Sequence, residues 1–326
     1  MHAIRQHEFG PPENLSYEEV PDPRPGAGQV GITVRACGVH LVDTMLRRGS
    51  YGGPFGLPEL PMTPGREVAG VVDELGDGVE PNWLGRRVVV HLGMASGGYA
   101  ERAVANVTDL HPLPDELDYG AAVAMVGTGR MTIGILDVAQ PTPDDVVLVT
   151  AAAGGIGTLL VQAARNTGAT VVGVAGGDAK VARVRESGAT IAADYTAPDW
   201  TDRIRESLGD RGVTLVLDGV GGEAGQAAFD LLAPGGRLVL FGWSAGEPIR
   251  FTAADLFKRS LSASVALGPG ILRRPGGLRG LQERALAEAA EGRLVPAVQT
   301  FPLKDAPAAH RALETRATVG KVVLVP

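Results

Sequence analysis

A group of glycines follows a short apolar run in the middle of the chain. Residues 146–149 read Val-Val-Leu-Val, and residues 151–157 read Ala-Ala-Ala-Gly-Gly-Ile-Gly. Four apolar residues in a row are typical of a buried parallel strand, and the glycines allow a sharp turn into a helix. Because the N–H groups and the dipole of a helix N-terminus attract anions, this turn is expected to bind a pyrophosphate. The residues assigned to this binding are Ala153, Gly154, Gly155, Ile156 and Gly157.

Strand-length and helix-length patterns alternate after residue 124. Strands are predicted at 146–152, 170–175, 191–195, 213–218, 237–242 and 261–267. Helices are predicted between them at 156–167, 178–187, 199–208, 222–233 and 252–259. This alternation predicts an α/β fold with a doubly wound parallel sheet, which is the context a dinucleotide-binding glycine turn needs.

The end of the second predicted strand indicates which dinucleotide would bind. Domains that prefer NAD place an acid there, about 20 residues beyond the glycines, to hold the ribose 2′-hydroxyl. Residues 172–177 read Val-Gly-Val-Ala-Gly-Gly, and Asp178 is expected to cap the next helix. Gly176 leaves room for a 2′-phosphate, and Lys180 follows in the first helical turn. This pattern favours NADPH.

Further cofactor contacts are expected where the later strands end, because ligands of such sheets bind at the carboxyl edge. The residues assigned there to the nicotinamide are Phe241, Gly242, Leu267 and Gly268. Thr128 and Arg130, at the start of the second domain, are also assigned to the cofactor. For Arg130 the alternative is that it only ties the hinge.

The flanking parts of the chain have a different pattern. Short apolar runs at 31–36, 68–72 and 87–90 lie between Pro/Gly turns and predict a β-rich region. A short helix is predicted at 41–48, and a last strand at 321–325.

Composition excludes several classes of protein. The chain has 326 residues, 44% of them hydrophobic, and a net charge of −7. Two domains are expected, without a nucleic-acid or anionic-membrane partner. One cysteine excludes an intrachain disulfide framework and fits a cytoplasmic protein, as does the absence of an apolar signal region. Residues 146–164 are uncharged and long enough for a membrane span, but their central glycine turn favours a buried core.

Several motifs together carry a family resemblance. They are residues 36–40 (Ala-Cys-Gly-Val-His), 64–70 (Pro-Gly-Arg-Glu-Val-Ala-Gly), 97–101 (Gly-Gly-Tyr-Ala-Glu), 151–157, 187–189, 194–195 and 320–324 (Gly-Lys-Val-Val-Leu). In this order and spacing the chain resembles the medium-chain dehydrogenase/reductase superfamily, in its zinc-independent quinone oxidoreductase-like branch. The resemblance implies a GroES-like catalytic domain from residues 1–123 and 271–326 around an inserted Rossmann domain, 124–270. It also implies a homodimer that pairs the edge strand at 261–267.

The resemblance adds to the prediction for the cofactor. Relatives with the same glycine turn use a lysine, a tyrosine at the end of the third strand and an arginine near the C-terminus. Lys180, Tyr195 and Arg316 occupy these positions. Together with the missing acid, they favour NADPH.

The same resemblance bears on zinc. Zinc-dependent relatives use a cysteine, here matched to Cys37, and a histidine where this chain has Arg66. A guanidinium stays protonated and is not a usual ligand. The four-cysteine structural zinc lobe is absent from the sequence, so no metal is expected.

Two residues are candidates for the chemistry. Tyr51 resembles the tyrosine that donates a proton in enoyl-thioester reductases, and the alternative is a loop tyrosine that only packs. His40 replaces an asparagine of many relatives, and it is either a hydrogen-bond donor near the nicotinamide or a structural histidine. The expected activity is NADPH-dependent reduction of an activated C=C bond or a quinone, with enones, enals, enoyl thioesters or quinones as acceptors.

Two other functions compete with this prediction. The first is an NADPH-binding protein with little catalysis, like a lens crystallin or a scaffold. The second is a serine hydrolase, since residues 242–246 match Gly-x-Ser-x-Gly around Ser244. A nucleophile elbow runs directly into a helix, whereas here Glu247 and Pro248 follow, so the hydrolase is disfavoured.

Overall fold

The computed structural model describes residues 1–50, 56–93, 96–273 and 276–326. Tyr51, the predicted proton donor, lies outside the described residues. The chain divides into two compact units. The first comprises Met1–Gly127 and Pro296–Pro326, and the second comprises Thr128–Val295.

The strands and helices are numbered here in chain order. The strands are β1 (His2–Gln6), β2 (Leu15–Glu19), β3 (Gln29–Val39), β4 (Glu67–Leu75), β5 (Arg87–His91), β6 (Arg102–Asn106), β7 (His111–Pro112), β8 (Val146–Val149), β9 (Thr170–Ala175), β10 (Ile191–Asp194), β11 (Val213–Asp218), β12 (Leu232–Leu240), β13 (Ser262–Val265), β14 (Val298–Pro302) and β15 (Lys321–Val325). The α-helices are α1 (Leu41–Arg48), α2 (Tyr119–Ala124), α3 (Arg130–Ala139), α4 (Gly155–Asn166), α5 (Asp178–Glu186), α6 (Trp200–Leu208), α7 (Gly222–Asp230), α8 (Ala253–Arg259), α9 (Gly277–Ala290) and α10 (Ala306–Glu314).

The first unit is built on a sheet with the order β14-β15-β3-β4-β5-β7, in which β6 also pairs with β3. β14 and β15 are parallel, and the other pairs of this sheet are antiparallel. β15 lies against β3 with Val322 opposite Val39 and Leu324 opposite Cys37. The C-terminal strand therefore completes a sheet begun by the N-terminal part of the chain.

The second unit is a doubly wound α/β fold, as the alternating pattern predicted. Its described strands are parallel in the order β10-β9-β8-β11-β12-β13. Side chains alternate between its two faces. Val147 packs with Leu160 of α4 in one core, and Leu148 packs with Trp200 of α6 in the other. Because β8 is buried on both faces, its four residues are all apolar.

The second unit ends at Val295, beyond the boundary at 270 that the family resemblance implied. Helix α9 lies against α3, and Arg284 forms a two-pronged ion pair with Asp137, with N–O distances of 2.7 and 2.9 Å. Gln162 and Val295 exchange two hydrogen bonds of 2.8 Å. Residues 271–295 thus cover the second unit, because the last strand of a sheet does not mark the end of the helices that pack on it.

One continuous helical segment among the described residues, Tyr119–Ala139, has the length and apolar composition of a membrane span. Its mean hydropathy is 1.3, and 78% of the window is buried inside the protein, as in a core helix. The uncharged segment 146–164 forms β8, a turn and most of α4.

Candidate functional site

The glycine turn joins β8 to α4 in the second unit. The N–H of Gly154 donates to the carbonyl of Ala151 (2.9 Å), and Ala151 itself has a positive φ of 45°. A Cβ at Gly157 would overlap that same carbonyl, so only glycine fits there. No side chain caps the start of α4, which leaves its first-turn N–H groups for an anion. The turn therefore fits the pyrophosphate of a dinucleotide.

Three predicted cofactor residues meet around the end of β9. A Cβ at Gly176 would lie 3.5 Å from the Tyr195 hydroxyl oxygen, an ordinary packing distance. The N–H of Tyr195 donates to Ala175 (3.2 Å), and Lys180 lies in the first turn of α5. The structure thus gathers Gly176, Tyr195 and Lys180 at the carboxyl edge of the sheet.

An acid that the sequence pattern did not indicate also lies at this edge. Asp194 ends β10, directly opposite Ala175 of β9. Its carboxylate accepts hydrogen bonds from the N–H and hydroxyl of Thr196, at 2.9 and 2.7 Å. Hydrogen bonds, first of all from the Gly177 N–H, lower the pKa of Asp194. Parallel pairing of β9 with β10 brings this acid beside Gly177. The acid could therefore be found from the order of the strands in the sheet, but not from its distance along the sequence from the glycine turn.

The residues predicted to line the nicotinamide follow β12 and β13. The N–H of Phe241 donates to the backbone carbonyl of Asp218 (2.8 Å), and a Cβ at Gly242 would lie 3.1 Å from the Gly219 carbonyl oxygen. Leu267 and Gly268 follow the end of β13. All four predicted residues therefore lie beyond the carboxyl ends of parallel strands.

Asp218 fixes this edge and was missed in the sequence. It is fully buried, and it accepts from the Thr150 hydroxyl (2.7 Å) and from the N–H groups of Val220 (3.0 Å) and Gly221 (3.1 Å). Thr150 belongs to the β8–α4 connection. Asp218 therefore links the loop after β11 to the predicted pyrophosphate turn.

Three further residues were predicted to contact the cofactor. Thr128 lies in the π-helical turn Met125–Gly129, and Arg130 is the first residue of α3; both are buried. Arg316 belongs to the first unit, in a left-handed turn (φ 56°) after α10. Their roles in cofactor binding stay predictions.

Ser244 lies in a loop, and its N–H donates to Gly219 (3.1 Å). The next helix begins only at Ala253, so the strand–turn–helix context of a hydrolase nucleophile is not formed.

A buried charged cluster lies in the first unit, where β3 ends and α1 begins. The Nε2 atom of His40 is 2.6 Å from Glu67 Oε1 and 2.9 Å from Lys321 Nζ. The same Lys321 nitrogen is 2.8 Å from Glu67 Oε2. Glu67 and Lys321 open β4 and β15, and both are buried, whereas the His40 side chain is 25% exposed. The imidazole of His40 is therefore the solvent-accessible group of this cluster, and the charges of Glu67 and Lys321 are buried.

Two glycines make room for the cluster. A Cβ at Gly38 or at Gly127 would overlap the Glu67 carboxylate. Gly127 belongs to the π-helical turn Met125–Gly129, a distortion that is frequent at functional sites.

The charge of Glu67 depends on its two partners. Burial alone would raise its pKa, but the positive charges of His40 and Lys321 outweigh burial and hold that pKa well below its ordinary value. Glu67 is therefore an ionised carboxylate in the core, and it was identified in the sequence only as part of a family motif.

A second network surrounds Asp43 of α1. One carboxylate oxygen accepts from the His40 backbone N–H (2.8 Å) and the Tyr99 hydroxyl (3.2 Å). The other lies 3.4 Å from Arg66 Nη2. Tyr99 is also 3.2 Å from Nε2 of His310, and burial lowers the pKa of His310 to about 4. Asp43 thus fixes both the backbone of His40 and the guanidinium of Arg66.

The cysteine matched to a zinc ligand is a core residue. Cys37 is fully buried in β3, and burial raises its pKa to about 12, so the thiolate that a metal needs is disfavoured. Arg66 is paired with Asp43. Across the described parts of the chain, no group of three or more His, Cys, Asp or Glu could hold a metal ion.

Two family models match this chain, one in each unit. Residues 26–115 match the alcohol dehydrogenase GroES-like domain, and residues 155–275 match the family described as zinc-binding dehydrogenase. The chain is 33% identical to a 2-haloacrylate reductase of Burkholderia sp, covering 98% of this chain and 97% of the relative.

Two solved structures share the fold over the whole chain. One is Escherichia coli quinone oxidoreductase complexed with NADPH, with a TM-score of 0.86, 30% identity and complete coverage of both chains. The other is described as an NAD-dependent alcohol dehydrogenase, with a TM-score of 0.87, 30% identity and complete coverage of both. The chain belongs to the medium-chain dehydrogenase/reductase family, in its quinone oxidoreductase-like branch, and is an oxidoreductase.

Proposed function

We propose that this protein reduces activated C=C bonds or quinones with NADPH and without a metal ion. The observation that carries the proposal is the uncapped glycine turn at 151–157, together with the end of β9 at Ala175, which is followed by two glycines instead of an acid. The 2-haloacrylate reductase supports a C=C acceptor, and the quinone oxidoreductases support a quinone.

The cofactor assignment follows from the fit of the residues to each part of NADPH. The turn would hold the pyrophosphate, and Lys180 and Tyr195 would contact the 2′-phosphate. One solved relative is described with NADPH and another as NAD-dependent, so the choice between the two cofactors rests on the residues around the ribose position. The acid nearest this position, Asp194, is already bonded to Gly177 and Thr196, which favours NADPH. When bound, NADPH supplies hydride-transfer chemistry.

His40 is the proposed proton donor among the described residues. Its ring is 25% exposed, so a substrate can approach it, and Glu67 Oε1 lies 2.6 Å from Nε2 of the ring. Lys321 Nζ lies 2.9 Å from the same nitrogen, so the ring is positioned by two buried partners. Tyr51 is proposed from the sequence as a second donor.

Metal-free chemistry is proposed because the candidate ligand positions are used otherwise. The Cys37 thiol is buried in the core, and Arg66 bonds to Asp43. Polarisation of the acceptor would then rest on hydrogen bonds and positive side chains.

A cytoplasmic homodimer is proposed, without nucleic-acid or membrane partners. Strand β13 pairs only with β12 among the described strands, and its four residues are exposed, with Val265 at 65%. A free edge of this kind can pair with the same edge of a second copy.

The test is oxidation of NADPH at 340 nm with an enone, 1,4-naphthoquinone and crotonyl thioester, with NADH in parallel. We expect turnover with NADPH and a preference of at least about tenfold over NADH, which Lys180→Gln reduces. Lys304→Gln, at an exposed lysine of the first unit, is the matched control. Tight NADPH binding with no turnover on any acceptor would instead support the non-catalytic alternative.

A further inference from the structure

We infer that the preferred acceptors carry a carboxylate beside the reducible C=C bond, and that Arg66 binds this carboxylate. The inference rests on the proposed function and names its substrate class. It starts from Asp43, whose two oxygens contact the His40 backbone and the Arg66 guanidinium. One buried carboxylate therefore holds the proposed proton donor and a permanent cation beside each other.

The side chains of His40 and Arg66 are partly exposed, whereas their ionic partners are buried. The side chains of Asp43, Glu67 and Lys321 are at most 4% exposed, whereas His40 is 25% and Arg66 20% exposed. Arg66 contacts Asp43 through one nitrogen at 3.4 Å, a long hydrogen bond, and a guanidinium has five N–H donors. Its remaining donors suit the two oxygens of a substrate carboxylate.

The fixed charges behind these two groups are balanced. Arg66 offsets Asp43, and Lys321 offsets Glu67. A substrate carboxylate at Arg66 would therefore meet no uncompensated acid in this group.

The neighbouring helix face fits a small acceptor better than a flat aromatic one. Leu41 and Met45 are one turn apart on α1, immediately after His40, and both are about 40% exposed. Two flexible aliphatic side chains offer no stacking surface for a quinone.

The reaction balances as a two-electron reduction. The C=C π bond breaks, and two C–H bonds form. The electron pair and one hydrogen come from NADPH, which becomes NADP⁺, and arrive at the β-carbon. His40 releases a proton to the α-carbon and regains one from water. Negative charge that develops on the carboxylate lies against Arg66, which lowers the barrier for acids that are otherwise poor hydride acceptors.

The test compares acids with their neutral amides in wild-type protein and in Arg66→Gln. We expect kcat/KM for acrylate to exceed that for acrylamide, and Arg66→Gln to lower the acrylate value about 10- to 100-fold, because a charged hydrogen bond is lost. The acrylamide value should fall by a smaller factor than the acrylate value, and circular dichroism reports that the variant is folded. Arg66→Lys should restore part of the acrylate rate. Arg35→Gln, at an exposed arginine of β3, is the matched control.

A binding measurement separates this inference from the proposed function. Propionate, which cannot be reduced, is titrated into the protein with NADP⁺ by calorimetry. Binding that exceeds that of propionamide and weakens at least about tenfold in Arg66→Gln supports the carboxylate site even if no acceptor turns over. Equal binding of propionate to wild type and Arg66→Gln overturns the inference. So does turnover of neutral acceptors without any preference for acids, while the proposed reductase activity then stands.

Discussion

The ion pair between Glu67 and Lys321 gives a prediction about stability. At 2.8 Å and an effective dielectric of about 20, the two charges attract by ~6 kcal/mol. Removing both ions from water costs several kcal/mol each, so the pair as a whole contributes little net stability. Removing one partner leaves the other buried and unbalanced. Lys321→Met and Glu67→Gln should each lower the free energy of unfolding by about 3–5 kcal/mol.

The double variant is the decisive measurement. Glu67→Gln/Lys321→Met leaves no unbalanced charge in the core, so its loss should be smaller than the sum of the single losses by about 2 kcal/mol or more. Free energies come from urea titration at pH 7.5, followed by tryptophan fluorescence and circular dichroism to test for coincident transitions. Lys304→Met, on the surface, should stay within about 0.5 kcal/mol of wild type.

The outcome that refutes this reasoning is specific. Single variants that lose less than about 1 kcal/mol each, with additive effects in the double variant, would show that the two charges are solvated rather than buried together. A pH titration gives a second check. The pKa of Glu67 is depressed in the folded protein, so its stabilisation should be present above its ordinary pKa and fade as the pH falls below that value.

Three further predictions concern single residues. His310 has a folded pKa of about 4, below its unfolded value, so its stabilising contribution is present above about pH 6.5 and lost as the pH falls; about 2 kcal/mol should disappear between pH 8 and pH 5 in urea titrations of wild type, but not of His310→Asn. Gly157→Ala should weaken NADPH binding at least about tenfold in fluorescence titrations, because its Cβ overlaps the Ala151 carbonyl. The buried Cys37 thiol should react with a disulfide reagent at pH 8 only after denaturation.

Each of these has a result that would contradict it. Equal pH dependence in wild type and His310→Asn would mean that folding does not lower the pKa of His310. Unchanged NADPH affinity in Gly157→Ala would place the cofactor away from the glycine turn. Rapid labelling of Cys37 in the native protein would show that the core of β3 opens readily.

The local features of the second unit could be predicted because they are written in short stretches of sequence. A buried strand needs consecutive apolar residues, and a tight turn against a carbonyl needs glycine at one position. Residues 146–157 therefore indicated strand, turn and helix, and the alternation after them indicated the sheet. The absence of an acid at 175–177 could also be read directly. The end of the second unit at Val295 could not be predicted from the sequence, because it depends on which surface α9 covers.

The candidate site in the first unit depended on tertiary structure. Lys321 lies 281 residues after His40, and they meet because β15 pairs with β3 beside Val39. Glu67 faces them because it is the first residue of β4, and the positive charges of both partners outweigh the effect of burial on its pKa. By itself the sequence determined which local elements form and that Arg66 stands where a zinc ligand would be. Only the folded chain decided that this arginine and His40 share Asp43, because such contacts join residues whose separation along the chain carries no periodic signal.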